Sequence, residues 1–243
     1  MKNVVVAGLG EVGEAIKKIE EEAGNEAWVR EIRGEYPQPP EGTKIDVLHV
    51  CIPFIPEFQD RVVEWSKFHK PALIIIHSTV PLGITKEIGI RIKQPIVHSP
   101  VRGVHPNLYG GLLTFKKLVG GDDASAKLAC EHLKSININP EHIGRSENTE
   151  LSKILSTTYY GWNILYAKLV KELCEEFGLD YEKVYTIPNE TYNEGYKKLG
   201  MEHVVRPVLT PPRGRIGGHC VTQNFDLLPP SKIKQVVKDI NDQ

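Results

Sequence analysis

The sequence predicts an α/β protein, a Rossmann-like doubly wound and mostly parallel sheet followed by a helical second domain. Three observations predict it. A fully apolar run, Val4-Val5-Val6-Ala7, opens directly into Gly8-Leu9-Gly10-Glu11-Val12-Gly13. Further short apolar runs alternate with amphipathic stretches as far as about residue 134. From residue 149 the pattern changes to one long helix rich in apolar and aromatic residues. The expected division is therefore a dinucleotide-binding domain over 1–148 and a helical domain over 149–243.

The first run has the composition of a strand buried on both faces of a parallel sheet. After the glycines, Ala15, Ile16, Ile19 and Ala23 share one helical face, and Gly24 ends the helix. Strand, glycine turn and helix are the context a dinucleotide-binding fingerprint requires. Gly8 makes the turn, Gly10 admits the pyrophosphate, and Gly13 lets helix and strand pack closely, while the helix N-terminus offers N–H groups to the anion. Glu11 and Val12 lie inside this turn. Glu11 suits a helix N-terminus but crowds a pyrophosphate.

Residues 27–32 read as a second strand, with Glu31 near the distance at which an acid holds the adenosine ribose hydroxyls. It is either that acid, which would favour NAD over NADP, or a solvated carboxylate at a strand end. Residues 34–44, with Pro37, Pro39, Pro40 and Gly42, are loop, so the sheet is abbreviated. The next strand covers 45–52, in which Cys51 serves packing, and Pro53 follows in its C-terminal loop. A helix over 57–69 presents Phe58, Val62, Trp65 and Phe68. Residues 72–76 form a strand ending in His77-Ser78-Thr79-Val80-Pro81-Leu82-Gly83, where α/β folds bind ligands. A further helix, a strand over 95–98 and a helix over about 123–134 complete this part. His105 is either an acid/base group or a surface histidine.

A helix starting at Thr149-Glu150-Leu151-Ser152-Lys153 and running to Phe177 carries apolar residues on more than one side. A tyrosine-rich segment, a proline-rich approach and a charged tail helix from Ser231 follow. Between them lies Arg213-Gly214-Arg215-Ile216-Gly217-Gly218-His219-Cys220. Adjacent glycines permit close backbone approach, and nearby cations favour a thiolate. Cys220 is thus a candidate nucleophile, or a structural cysteine in a surface loop. Arg206, Arg215 and Gly217 are candidate substrate contacts.

Composition excludes several classes. The 243 residues carry 30 basic and 31 acidic side chains, a net charge of −1, with no basic stripe for nucleic acid. No apolar run spans a bilayer, and no signal peptide precedes the first strand. The four cysteines show no pairing pattern, as in a cytoplasmic protein with reduced thiols. The nine histidines form no HxxxH-type spacing, so no metal is expected.

The ordered set GLGEVG at 8–13, STVPLG at 78–83, ELSK at 150–153 and GGHC at 217–220 resembles the UDP-glucose/GDP-mannose (nucleotide-sugar 6-) dehydrogenase family. GGHC is similar to the branch that oxidises UDP-N-acetyl-hexosamines. The resemblance implies NAD as cofactor, a sugar or nucleotide-sugar alcohol as substrate, and a homodimer through the 150–177 helix. It implies that Cys220 adds to an aldehyde intermediate and carries a thioester. Lys153 would stabilise oxyanion charge, and Thr79 would position cofactor and water. Four positions depart from the pattern: Val101 and His105 stand where acids are expected, Thr157 where an asparagine is, and Asn224 where an aspartate is. These departures put thioester hydrolysis in question and open an alternative, an NAD-binding regulatory or interaction protein without turnover. The chain also ends where the family's nucleotide-holding third domain would begin. That implies either a smaller substrate or a site completed by a partner chain.

Overall fold

A computed structural model of the chain describes residues 1–31, 36–103, 107–212, 214, 216 and 219–241, with the backbone alone for 219–222. Packing divides it into two compact units, Met1–Lys153 and Ile154–Gln243.

The first unit is built on five parallel strands: β1 (Asn3–Ala7), β2 (Glu26–Arg30), β3 (Val47–Val50), β4 (Leu73–Ile76) and β5 (Ile96–His98), in the order β2-β1-β3-β4-β5. Val5 of β1 lies between Trp28 and Leu48, which fixes the register at the centre. Alternate residues face opposite layers. Val4, Val6, Val47, Leu73, Ile75 and Val97 pack under α1 (Glu11–Glu22), α4 (Leu108–Thr114) and α5 (Asp123–Ser135). Val5, Leu48, Val50, Ile74 and Ile76 pack under α2 (Phe58–His69) and α3 (Ile84–Arg91). This is the doubly wound arrangement, abbreviated to one strand beyond β1. A second parallel pair, β6 (Lys117–Val119) with β7 (Pro140–His142), joins it through a single bridge from Gly120 to His98.

Two local expectations change, and one buried acid adds to them. Phe68, expected on the packed face of α2, is 66% exposed. Glu20, one residue after Ile19 on the packed face of α1, is fully buried. The long helix α6 (Ser146–Glu176) starts at Ser146 instead of Thr149, so its first turns belong to the first unit.

The second unit contains the rest of α6, a π-helical turn over Glu182–Thr186 running into α7 (Ile187–Lys198), α8 (His219–Leu227) and α9 (Lys232–Asn241). The tyrosine-rich segment is thus helical. Its apolar centre is Ile154, Leu165, Ile216, Phe225, Leu228 and Val237. Cys220, expected directly after a glycine turn, has its backbone in the first turn of α8.

Candidate active site and dinucleotide turn

The C-terminal ends of the five strands lie at one edge of the sheet, and the glycine turn closes β1 there. Gly8 has φ +94 and donates its N–H to Arg30 O at 2.9 Å. A Cβ on Gly8 would stand 2.8 Å from Ile52 Cγ2, and one on Gly13 only 1.8 Å from Gly8 O. The first and third glycines are therefore demanded by the turn and by helix packing. Gly10 differs: it is exposed, and no atom of the described residues lies within 4 Å of where its Cβ would be. It caps α1 with no side-chain hydrogen bond, so among the described residues the helix N-terminus is left open. That opening fits a pyrophosphate.

Glu31 is tied to this turn, its Oε2 accepting the Leu9 N–H at 2.8 Å. The acid after β2 and the glycine turn are thus neighbours. Glu11 is exposed in the first turn of α1, Val12 packs against the core under it, and Pro53 is exposed in the loop after β3.

The loop bearing Thr79 is held at both ends. The Ser78 hydroxyl donates to Ile52 O at 2.6 Å, and His98 Nε2–H donates to Ser78 O at 3.0 Å. Burial, with Lys117 and Lys153 adding to it, draws the His98 imidazole down to about 3 against the pull of Ser78 O. The neutral ring then accepts the Thr149 hydroxyl at Nδ1, 2.8 Å away. At the far end the Glu150 carboxylate accepts Gly83 N–H at 2.6 Å and Thr85 N–H at 2.9 Å, taking up donors at the start of α3. Thr149 and Glu150 are adjacent on α6, and the half-buried Lys153 stands one turn beyond Thr149. The first turns of α6 therefore help to hold the Thr79 loop, and Lys153 follows on the same helix. Lys117 is buried nearby, its Nζ donating to Ser99 O at 2.7 Å. Burial draws its ammonium down to about 7, with Cys51 opposing and Lys153 reinforcing. Burial pushes the Cys51 thiol up to about 12, which keeps it protonated.

In the second unit, Arg206 is exposed, with its guanidinium 3.7 Å from the centre of the Tyr192 ring. Its backbone is paired with the Asn193 side chain through two 2.8 Å bonds. Arg215, Gly217 and His105 lie outside the described residues, as does the Cys220 side chain. Asn224 is buried in α8, and Val101 is buried among apolar neighbours of the first unit.

The structure also assembles a polar cluster that local spacing does not reveal. Glu20 Oε1 meets His49 Nε2 at 2.9 Å and His132 Nε2 at 2.7 Å, all three buried. One signal is present in the sequence: a glutamate within the apolar stripe of α1, and histidines at 49, 77 and 98 within or ending apolar strand runs.

An abbreviated doubly wound sheet with this glycine turn defines a Rossmann-type fold. Solved structures agree on the fold. The UDP-D-ManNAc dehydrogenase of Pyrococcus horikoshii superposes with a TM-score of 0.77 at 17% identity, over 99% of this chain and 68% of that one. The 3-hydroxyisobutyrate dehydrogenase of Mycobacterium tuberculosis gives 0.70 at 17% identity, over 100% and 93%. No family model matches the chain. Among curated proteins, the UDP-N-acetyl-D-mannosamine dehydrogenase of Methanococcus maripaludis is 29% identical over 153 residues, 62% of this chain and 33% of the relative. That of Methanocaldococcus jannaschii is 26% identical over 155 residues, with the same coverage. Over 62% of its length the chain is similar to nucleotide-sugar dehydrogenases, and the match spans about a third of the length of those curated relatives. Among the described residues no helix is long and apolar enough to cross a membrane.

Proposed function

We propose that the chain is an NAD-dependent dehydrogenase that oxidises the alcohol of a sugar or nucleotide sugar by hydride transfer. The observation that supports it most is the glycine turn, with Gly10 open at the N-terminus of α1 and Glu31 bonded to Leu9 N–H. Gly8, Gly10, Val12, Gly13 and Pro53 would border the dinucleotide, and the Glu31 carboxylate would repel a 2′-phosphate. NAD supplies the hydride acceptor. Lys153 would stabilise developing oxyanion charge, Thr79 would orient cofactor and water, and Cys220 would take the aldehyde as a thiohemiacetal. Arg206, Arg215 and Gly217 are the proposed substrate contacts.

Calorimetry should show binding of NAD at least tenfold tighter than NADP, and Glu31→Gln should narrow the gap. Tighter NADP binding by the native chain would overturn the Glu31 assignment. Incubation with NAD and UDP-N-acetyl-hexosamines should then produce NADH; Cys220→Ser should retain at most the first hydride transfer. Binding of NAD without NADH from any sugar nucleotide would favour the second reading, a dinucleotide-binding regulatory protein. Val101 supports that reading, since it is packed in the apolar core where the family has an acid.

We further propose a homodimer through α6. Tyr159, Trp162, Tyr166, Leu169, Leu173 and Phe177 recur at spacings of three and four residues along one stripe of the helix. Tyr159, Tyr166, Leu173 and Phe177 are each more than half exposed. A second copy of the same stripe would cover this face. Light scattering at micromolar concentration should give twice the chain mass, and Tyr166→Glu with Leu173→Glu should give the monomer. A monomeric native chain would sink the proposal.

A further inference from the structure

Three hydrogen bonds run in series across the sheet beneath α1. Glu20 Oε1 meets His49 Nε2 at 2.9 Å, His49 Nδ1 meets His77 Nε2 at 2.9 Å, and His77 Nδ1 meets Ser99 O at 3.1 Å. Both rings make bonds through both nitrogens, so turning either ring over would lose two bonds. The last acceptor is a carbonyl, which cannot donate; that link must carry a proton on His77 Nδ1. Each of the other two links also needs one proton between its heavy atoms. The three links therefore need three protons, whereas a carboxylate and two neutral imidazoles hold two.

The neighbours on every side fix where the third can be. From the first strand's end, the Lys2 ammonium can only donate, so His132 Nδ1, 3.0 Å away, accepts. His132 on α5 then carries its hydrogen on Nε2 and donates it to Glu20. Asn25 donates to the other Glu20 oxygen at 2.6 Å. Burial raises the Glu20 carboxyl, but the bonds from His132 and His49 outweigh it and hold the group well below the ordinary carboxylate range. From β6, Lys117 also donates to Ser99 O, and on β5 His98 is neutral. Cys51, after β3, remains a thiol.

We propose that the Glu20–His49–His77 chain binds one proton more than a carboxylate and two neutral imidazoles carry, as a buried imidazolium–carboxylate pair. Burial lowers both imidazoles, and Lys117 opposes a charge on either; Glu20 pulls the other way on His49. The hydrogen-bond count decides between them. Without the extra proton, two lone pairs face each other across 2.9 Å, and the Glu20 charge is buried with no imidazolium partner. A metal ion among Glu20, His49 and His132 would also supply positive charge. It would need the His132 Nε2 lone pair, which the Lys2 contact on the opposite nitrogen replaces with a hydrogen.

The pair makes folding proton-linked. A proton kept in the folded state and lost by unfolded histidine above about pH 6.5 lowers the folding constant tenfold per pH unit until the folded chain releases it. Lys117 has the opposite sign: drawn down to about 7, it gives up a proton on folding, so its term rises with pH. The two slopes overlap, and stability against pH alone does not isolate either one.

Ring protonation does. Long-range proton–nitrogen correlation spectra of the nitrogen-labelled full chain should show one imidazolium ring, both nitrogens protonated, at about pH 8.5, where an ordinary histidine is neutral. His77→Leu should abolish it. If that variant does not fold, the native count stands by itself: one charged ring among the nine histidines supports the pair. No charged ring at that pH would overturn it. Stoichiometric metal in protein purified without chelator, with His49 and His132 showing metal-bound nitrogen shifts, would overturn it equally.

Discussion

Replacing Gly13 by alanine should cost about 3 kcal/mol or more, because the new methyl group would fall 1.8 Å from the Gly8 carbonyl oxygen. Neither partner can yield cheaply. Gly8 is held by its N–H bond to Arg30 O, and α1 is held by Ile16 and Ile19 in the core. Gly10→Ala is the matched control. Its Cβ would meet nothing within 4 Å among the described residues, and its φ of −75 suits any residue. The fold should lose no more than about 1 kcal/mol, the cost of a poorer helix cap. Dinucleotide affinity should nevertheless fall at least tenfold, because the added methyl occupies the approach to the helix N-terminus. Chemical denaturation and NAD titration of both variants separate the two effects. If Gly10→Ala binds NAD as the native chain does, the glycine turn is not the pyrophosphate site.

That contrast also marks what a sequence can disclose. The glycine turn is legible because its three glycines act within a single strand–turn–helix unit, and each spacing states its own requirement. The five strands are legible because short apolar runs between helical patterns leave few alternatives. Glu20 is not, since its partners His49 and His132 are 29 and 112 residues away. Its place within the apolar stripe of α1 is a local signal, but nothing local names the partners that the fold brings to it. Periodicity starts α6 three residues late because Ser146, Glu147 and Asn148 are polar and leave no mark on an apolar pattern. Spacing puts Phe68 on the packed face of α2, yet in that last turn it is Ser66 and His69 that are buried, and Phe68 falls at the edge of the stripe. The helix beginning at His219 is hidden by the preceding glycines, which signal a turn but carry no information about the element after it. Glu150 is legible as part of a motif but not as a cap, because α3 lies some 65 residues upstream.

Glu150→Ala should cost about 3 kcal/mol and loosen the Thr79 loop in particular. The carboxylate is fully buried and accepts two backbone N–H groups, Gly83 at 2.6 Å and Thr85 at 2.9 Å. Removing it leaves both donors unpaired in a dry site, at about 1–3 kcal/mol each before relaxation. It also removes a negative charge from the N-terminus of α3. Burial raises the Glu150 carboxyl, while the Thr85 and Gly83 bonds hold it back; those bonds are what the alanine variant deletes. Glu150→Gln keeps the volume and one acceptor but turns an NH₂ group toward the second donor, so it should fall between alanine and native. Amide exchange should quicken at Gly83 and Thr85 well before it does at Val50 or Ile76, strand residues that do not depend on this cap. The functional consequence comes from position. Thr149 and Glu150 grip the two ends of the loop, and Lys153 stands one turn further along the same helix. Losing the grip should therefore lower the rate of hydride transfer more than it weakens NAD binding. Native-like stability in Glu150→Ala, within about 0.5 kcal/mol, would mean that α3 finds its cap elsewhere and that the first turns of α6 do not hold the loop.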